Sequence, residues 1–361
     1  MIDKIIKQLK PLINGKLIYL SQYGSHLYGL NTENSDLDFR GVYVPNLDDI
    51  ILGKAQDEIN TEIELWEIRD SNKENPTYHI EEPTTLINSW YLRKVKVDVK
   101  IFSLQKFIQL CSKADTNALD LLFSVNNSYI EQYGSVGGIL YLLENRDKLI
   151  NTDRLESPIT YAFKQSTKYG IKGKRLKVLQ EVLECALNLC KSKSEAYVRD
   201  LVVYERLQHL FEDEPDHLKT VCLDNKGTED YYLYVCGVQH QFNLELNKFI
   251  KRIEEKINKE YTSQRTKDAA DGNDWKALSH AIRVLLEVKQ LLEDGTITFP
   301  CIENRFLLRI KQGKINREVI DEFFNKQLSN ILEKVKLNEL GWKYDEEFWN
   351  EFILNEVKNG I

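Results

Sequence analysis

The chain has 361 residues, enough to bury a full hydrophobic core and to form two domains. Hydrophobic residues make up 42% of it and charged residues 29%, which is typical of a soluble globular protein. The net charge of −7 argues against a large non-specific nucleic-acid surface, and no apolar run approaches the ~20 residues of a membrane-spanning helix.

The cysteines and the N-terminal segment indicate a cytoplasmic protein. The six cysteines are far apart and include no C-x-x-C pair, so they indicate neither a zinc site nor a disulfide framework. The first ten residues have an amphipathic helical pattern without the apolar centre of a signal peptide. We therefore expect a protein of the reducing cytosol that has no membrane partner.

Strands are predicted mainly in the first third of the chain. From the N-terminus, the pattern predicts a helix over 1–12, a strand over 16–21, a turn with a short helix, a second strand that ends at 42–45, a helical turn over 46–52, a third strand over 92–102, and a helix over 104–111 that Ser103 caps. The acidic residues 56–84, with Pro76 and Pro83, are interpreted as an excursion or a hairpin between the second and third strands.

Beyond residue 115 the apolar spacing is almost wholly helical. Helices are predicted over 116–124, 135–149, 158–169, 174–191, 194–212, 240–260, 274–293 and 317–336, and later strands only over 218–223 and 231–237. The fold class expected is α+β. A small mixed β-sheet domain over 1–125, with the acidic insertion at about 56–84, precedes a mainly helical domain over 126–361 that closes a cleft.

The most informative motif is Gly24-Ser25, followed ten residues later by Asp36 and Asp38. A glycine lets the backbone approach a phosphate, and Ser25 begins a predicted helix whose free N–H groups face an anion. Asp36 and Asp38 are two residues apart on an extended segment, so both carboxylates point to one face. Such carboxylates repel each other unless a cation lies between them, and Mg²⁺ prefers hard oxygen ligands. The motif therefore predicts a site for phosphate and metal.

These residues resemble the nucleotidyltransferase superfamily of DNA polymerase β, whose pattern is G-S, then D-x-D, then a third carboxylate on a later strand. Within it, the chain is similar to the RlaP-like family of nucleotidyltransferases associated with RNA repair. The resemblance rests on Gly24-Ser25-His26-x-Tyr28-Gly29, Ser35-Asp36-x-Asp38-x-Arg40-Gly41-Val42, Asp98-x-Lys100 leading into Leu104-x-Lys106-Phe107, and His280-x-x-Arg283.

The resemblance implies a palm-like sheet domain and a metal-dependent reaction. Asp98 is the expected third carboxylate, and its rivals Glu62, Glu64 and Glu67 lie in a stretch that is interpreted as a loop. Asp36, Asp38 and Asp98 would hold two Mg²⁺ (or Mn²⁺) ions as catalytic ligands, and a nucleoside monophosphate would move from an NTP to an acceptor hydroxyl with release of pyrophosphate.

Nucleotide-binding roles follow for several other residues. Gly24 and Ser25 would hold the β- and γ-phosphates. Arg40, on the same face as Asp38, would offset carboxylate charge or meet a phosphate, and a structural salt bridge across the strands is an equal alternative. Lys276, His280 and Arg283 share one face of a predicted helix and are expected to bind the triphosphate or the acceptor's phosphate; the alternative is a solvated face with an Arg283–Glu287 pair.

A basic segment over 163–177 is a candidate phosphate or nucleic-acid contact through Lys168, Lys172, Lys174 and Arg175, and its alternative is a solvated helix face and loop. The family association implies an RNA end as acceptor. The alternatives that the sequence leaves open are transfer of AMP or another NMP to a protein or small molecule, as in toxin control, and a catalytically silent module that binds nucleic acid.

Overall fold

The computed structural model describes residues 1–32, 35–70, 77–80, 90–126, 132–133, 136–193, 195–225, 228–262 and 274–359. These residues form two compact units. One contains Met1–Tyr161 and Ile282–Ile361, and the other contains Ala162–Ala281. Strands and helices occur in both units, which confirms the α+β class. None of the described helices is long and apolar enough to cross a membrane.

A six-stranded mixed sheet lies at the centre of the first unit, with strand order β4-β3-β5-β2-β1-β6. Its strands are β1 (Gly15–Tyr23), β2 (Leu37–Pro45), β3 (Glu58–Asp70), β4 (Thr77–His79), β5 (Trp90–Ser103) and β6 (Gln132–Tyr133). β2 and β5 run parallel, whereas every other neighbouring pair is antiparallel. The three strands that were predicted here, over 16–21, up to 42–45 and over 92–102, are therefore confirmed.

One face of this sheet is apolar and the other is polar. The apolar face contributes a core of buried side chains that includes Leu37, Phe39, Ile63, Leu65, Val95, Val97, Val99 and Ile101. Helix α1 (Ile2–Leu9) covers it with Ile5, Ile6 and Leu9. Because side chains alternate along a strand, the residues between these positions project from the opposite face. On β3 and β5 those residues are mostly charged.

The acidic stretch interpreted as an excursion contains β3, the antiparallel neighbour of β5. β3 pairs antiparallel with β5 from Glu58 opposite Phe102 to Asp70 opposite Trp90. The loop interpretation of Glu62, Glu64 and Glu67 is therefore wrong. The alternative of a hairpin agrees with the antiparallel pairing of β3 with β4, the next strand in the chain. Glu62 and Glu64 are compatible with a strand because they pair with Lys96 and Lys94 across it, while buried Glu67 accepts a 2.6 Å bond from Nε of Arg93. The rest of the stretch lies partly outside the described residues.

Short helices surround the sheet. They are α2 (Ser25–Tyr28), α3 (Leu47–Ile51), α4 (Leu104–Ser112), α5 (Thr116–Phe123), α6 (Val136–Glu144) and α7 (Arg146–Leu149), with 3₁₀ turns at Ser124–Asn126 and Thr152–Arg154. Oγ of Ser103 accepts a bond from the Lys106 N–H at 3.2 Å, which confirms the predicted N-cap of α4.

The second unit has its own hydrophobic core and its own sheet. Its elements lie in α8 (Glu156–Ser192), α9 (Val198–Val202), a 3₁₀ turn (Glu205–Leu207), α10 (Gln208–Asp213), β7 (Leu218–Asn225), β8 (Thr228–Val235), β9 (Val238–Gln241) and α11 (Leu246–Glu260). Both late strand predictions are confirmed, and β9 adds a third antiparallel strand. α8 is continuous where two helices were predicted, because a helix tolerates Gly170 and Gly173 at a cost of about 1 kcal/mol each.

The last four helices are α12 (Trp275–Asp294), α13 (Asn304–Lys311), α14 (Arg317–Leu337) and α15 (Glu346–Asn359). The predicted apolar stripe of α12, namely Leu278, Ile282, Leu285, Val288 and Leu292, is buried. From residue 282 onward the chain belongs to the first unit. The Cys301 N–H donates to the Tyr28 carbonyl at 3.2 Å, and fully buried Trp349 donates to the Lys148 carbonyl at 2.8 Å. The division consequently differs from the predicted domains 1–125 and 126–361.

Candidate active site

Asp38 and Asp98 lie side by side on the polar face of the sheet. They are direct partners in the parallel pairing of β2 with β5, and neighbouring strands are about 4.8 Å apart. Asp38 is half-buried, whereas the Asp98 side chain is 66% exposed. Asp36 is exposed and directly precedes β2, two residues from Asp38. The strand register thus brings two of the predicted carboxylates together, with the third adjacent in sequence.

The Gly24-Ser25 turn lies against the carboxylate of Asp38. Gly24 follows β1 with φ of 66°, and a Cβ placed on it would be 2.3 Å from Oδ2 of Asp38. Only a glycine fits between the turn and this carboxylate. α2 begins at Ser25, and the Leu30 N–H donates to the Ser25 carbonyl at 2.8 Å. The backbone of the turn and the D-x-D strand therefore share one site.

His26, the residue after Ser25, is held in its neutral form. Burial, and secondarily the positive charge of Lys311, lowers the pKa of His26 below its usual value. Its Nε2 is buried and has no hydrogen-bond partner in the described part of the chain.

Arg40 lies on the same face as Asp38, two residues further along β2. Its Nη2 is 4.0 Å from Oδ2 of Asp98, and its Nη1 donates to the Phe39 carbonyl at 3.0 Å. The guanidinium carbon lies 5.2 Å from the ring centre of Tyr23. The structure therefore contains the cross-strand ion pair that the sequence left open for Arg40, while contact with a phosphate stays a prediction.

Two tyrosines that flank the Gly24-Ser25 turn enter a buried network of hydrogen bonds and ion pairs, here called the Asp120 network. Oδ2 of Asp120 accepts bonds from the Tyr23 hydroxyl at 3.0 Å, the Tyr28 hydroxyl at 2.6 Å and Nη1 of Arg283 at 2.9 Å. Nη1 of Arg283 also donates to Oε1 of Glu287 at 2.6 Å. All five side chains are buried.

The charges of this network are unequal, because one guanidinium faces two carboxylates. Burial raises the pKa of Glu287 to about 8; Arg283 opposes this shift, and the charge of Asp120 adds to it. Burial by itself lowers the pKa of Arg283, but Asp120 and Glu287 outweigh it, so that the pKa is raised and the guanidinium stays charged. The network thus favours a protonated Glu287 carboxyl beside a charged Arg283 guanidinium.

Comparison with known proteins agrees with this geometry. Residues 1–73 match the RlaP family, described as the RNA repair pathway DNA polymerase beta family. The match confirms the resemblance that the motifs predicted, and it covers Gly24, Ser25, Asp36 and Asp38. A similar protein of Enterobacteria phage T4, titled "Uncharacterized 38.9 kDa protein in nrdC-mobD intergenic region", is 27% identical over 359 residues, spanning 94% of this chain and 96% of the phage protein.

The RlaP match implies a divalent metal ion, and the carboxylates near Gly24 fit such an ion. Asp38 and Asp98 are in register on one face, and their oxygens are the hard ligands that Mg²⁺ and Mn²⁺ prefer. In the described ranges no three or more His, Cys, Asp or Glu side chains already lie close enough to form a metal site. The fit therefore rests on the chemistry and alignment of the donors.

The basic residues predicted to bind phosphate have different environments. Arg283 is buried and bonded to two carboxylates, whereas Lys276 is exposed and His280 half-buried on the same helix. The alternative Arg283–Glu287 pair is present, but it is buried instead of solvated. On α8, Lys174 is exposed and Arg175 is half-buried. The side chains of Lys168 and Lys172 are not among those that the structure describes. Their binding roles stay predictions.

Sequence reasoning missed Asp120 and its hydrogen bond with the Tyr28 hydroxyl. A signal for Asp120 was present, because it is the only charged residue in the apolar run Ala118–Phe123. A carboxylate in such a position is buried at high cost unless a cation or hydrogen-bond donors accompany it. The sequence did not indicate its partners, since Arg283 lies 163 residues further along the chain.

Proposed function

We propose that this chain is a metal-dependent nucleotidyltransferase that moves a nucleoside monophosphate from an NTP to an acceptor hydroxyl, with an RNA end as the acceptor. The observation that carries the proposal is the position of Asp38, which touches the Gly24 turn on one side and is aligned with Asp98 on the other. A phosphate-binding turn and a metal-binding carboxylate pair must be adjacent for transfer at a phosphate.

Each residue has a defined part in this reaction. The Gly24 backbone and the Ser25 hydroxyl bind the β- and γ-phosphates, and Asp36, Asp38 and Asp98 hold Mg²⁺ or Mn²⁺. Bound there, such ions would supply positive charge against the phosphates and would lower the pKa of the acceptor hydroxyl. Asp98, which is more exposed than its strand partner Asp38, accepts the proton of that hydroxyl. The acceptor oxygen bonds to the α-phosphorus, the bond from this phosphorus to the β-phosphate oxygen breaks, and pyrophosphate leaves.

An RNA end is supported by the description of the matched family, which names an RNA repair pathway. Lys174 and Arg175 of α8 and Lys276 of α12 supply cations for a phosphate backbone, and His280 of α12 supplies a ring nitrogen, without requiring a positive net charge. Binding by Lys168 and Lys172 belongs to the same proposal.

The test is transfer of label from each α-labelled NTP, with Mg²⁺ or Mn²⁺, to tRNA, nicked RNA and total protein. We expect labelled RNA 3′ ends from the wild-type chain and none from Asp38→Asn, which removes a charged ligand with little change in volume. Glu64→Gln is the control, since Glu64 is a carboxylate of the same sheet that pairs with Lys94. Wild-type turnover by Asp38→Asn would contradict the proposed chemistry. Label on protein alone would show that the acceptor is a protein and not RNA.

A further inference from the structure

We propose that Asp120 and Arg283 are positioning residues that hold the Gly24-Ser25 turn in place through the hydroxyls of Tyr23 and Tyr28. The inference rests on the proposed function for its catalytic consequence. It gives Arg283 a role that differs from the direct phosphate contact predicted from its sequence motif, because its Nη1 is bonded to Asp120 and Glu287.

The two tyrosines bracket the turn. Tyr23 is the last residue of β1 and directly precedes Gly24, and Tyr28 is the last residue of α2. Both hydroxyls donate to the same oxygen, Oδ2 of Asp120, so one carboxylate fixes the start and the end of the segment between them. Their rings also meet edge to face, with centres 5.8 Å apart.

The turn depends on such tertiary contacts because its own structure is short. α2 has four residues, far fewer than a helix needs to be stable alone. A second contact holds the C-terminal end of α2, where the Cys301 N–H donates to the Tyr28 carbonyl at 3.2 Å. A Cβ on Gly29 would lie 2.9 Å from Pro300 and from Asn304, so the chain passes close to residues that follow α12.

Arg283 is needed because Asp120 is a buried carboxylate. Its guanidinium neutralises Asp120 at 2.9 Å and stacks on the ring of Tyr28, 3.7 Å from the ring centre. Arg283 therefore both balances the charge of Asp120 and packs against the ring of Tyr28, whose hydroxyl bonds to Asp120. The network connects α5 and α12 to the residues that flank Gly24-Ser25.

The experiment compares a double variant, Tyr23→Phe with Tyr28→Phe, with the single variant Tyr19→Phe, both in the full chain. Tyr19 is a matched control: it is buried on the same strand, and its hydroxyl bonds to Oγ of Ser124 at 2.9 Å instead of to Asp120. The first readout is hydrogen exchange of the amides of residues 25–30. The second is the KM for NTP and kcat of nucleotidyl transfer.

We expect faster exchange at residues 25–30 in the double variant and a KM about tenfold higher, with a smaller change in kcat, because two hydroxyl bonds are lost without loss of a ligand to phosphate. Exchange at these amides that matches Tyr19→Phe overturns the inference, and so does an unchanged KM. Tyr28→Phe alone serves the same comparison should the double variant unfold. If the wild-type chain transfers no nucleotide, the proposed function fails, and the exchange comparison still decides whether the tyrosines position the turn.

Discussion

Gly24 and Gly53 both have a positive φ but differ in what surrounds them. Their φ angles are 66° and 65°, and a Cβ on Gly53 would meet nothing within 4 Å, whereas one on Gly24 would collide with Asp38. A side chain strains the backbone at both positions, because both have positive φ, and at Gly24 the ψ of −139° also lies outside the left-handed helical region that other residues can adopt. Only at Gly24 does it also move a proposed metal ligand.

We therefore expect Gly24→Ala to abolish transfer and Gly53→Ala to keep it, with Gly24→Ala the less stable of the two. Thermal unfolding and the transfer assay check this pair. Full activity of Gly24→Ala would mean that the close contact between the turn and Asp38 is not needed for the reaction.

Glu287 gives the protein a predictable response to pH. Its pKa is raised from a usual value of 4.5 to about 8 in the folded chain. A carboxyl with a raised folded pKa contributes stability that is fully present below the unfolded pKa and is lost as pH rises through the folded pKa. The window of this loss is therefore about pH 4.5 to 8.

In Glu287→Gln the amide stays neutral, so we expect this loss to disappear. Urea midpoints of the variant relative to wild type should rise between pH 5 and 8. Glu64→Gln is the control, since Glu64 is exposed and its pKa is lowered by its bond with Lys94. A difference between wild type and Glu287→Gln that does not change over this range would show that Glu287 is ionised in the folded protein.

At the level of elements, β3 and β5 form an ion-pair ladder with one interruption. Glu58 pairs with Lys100, Glu62 with Lys96 and Glu64 with Lys94, each reaching the residue two positions before its direct partner. The same diagonal joins Asn60 to Asp98. The ladder thus has an amide and a carboxylate at the one position where the proposed metal ligand lies.

Asn60→Lys would complete the ladder with reversed charges, and we expect it to lower transfer. An ammonium group next to Asp98 competes with a metal ion for the carboxylate. Its diagonal pair with Asp98 stabilises the strands, whereas its position directly opposite Lys100 destabilises them, so we expect little net change in stability. Asn60→Gln is the control. The activity of both variants, measured as a function of Mg²⁺ concentration, checks the prediction: the Asn60→Lys defect should shrink at high Mg²⁺, and no defect at low Mg²⁺ would contradict it.

The sequence predicts the parts of the fold and of the site that depend on residues within one segment, and it does not predict contacts between distant segments. Strict alternation revealed β5, and the Gly24-Ser25 and D-x-D spacing revealed the strands that carry the site. β3 was interpreted as a loop because its glutamates read as acidic surface until their lysine partners are known. The Asp120 network combines residues from both ends of the chain, and a pattern within one segment cannot show such a pairing.

For the molecule as a whole, the chain returns to its first unit after the second is complete. The first unit depends on this return, because Asp120 bonds to Arg283 and the Leu30 carbonyl accepts a 3.1 Å bond from Lys311. The second unit has its own buried core, which includes Leu179, Val182, Leu201, Leu233 and Phe249.

We therefore expect the fragment 162–281 to unfold cooperatively and the fragment 1–125 to be unfolded by itself. Fragment 1–125 lacks Arg283, the cation that pairs with Asp120, and it lacks the packing of Trp349. A buried carboxylate without its cation lowers the free energy of unfolding by several kcal/mol. Circular dichroism during heating checks both fragments. A cooperative transition of fragment 1–125 would show that the sheet and its site need no residues from the C-terminal part.

The interrupted ladder has a consequence for how the strands find their alignment during folding. A slip of β5 by one residue would turn Asp98 into the core and Val97 and Val99 into water, at a large hydrophobic cost. A slip by two residues keeps the faces, but in either direction it leaves only one glutamate–lysine diagonal where the native alignment has three. The diagonal ion pairs therefore favour the alignment that brings Asp98 beside Asp38, although Glu62 lies directly opposite Asp98 in that alignment.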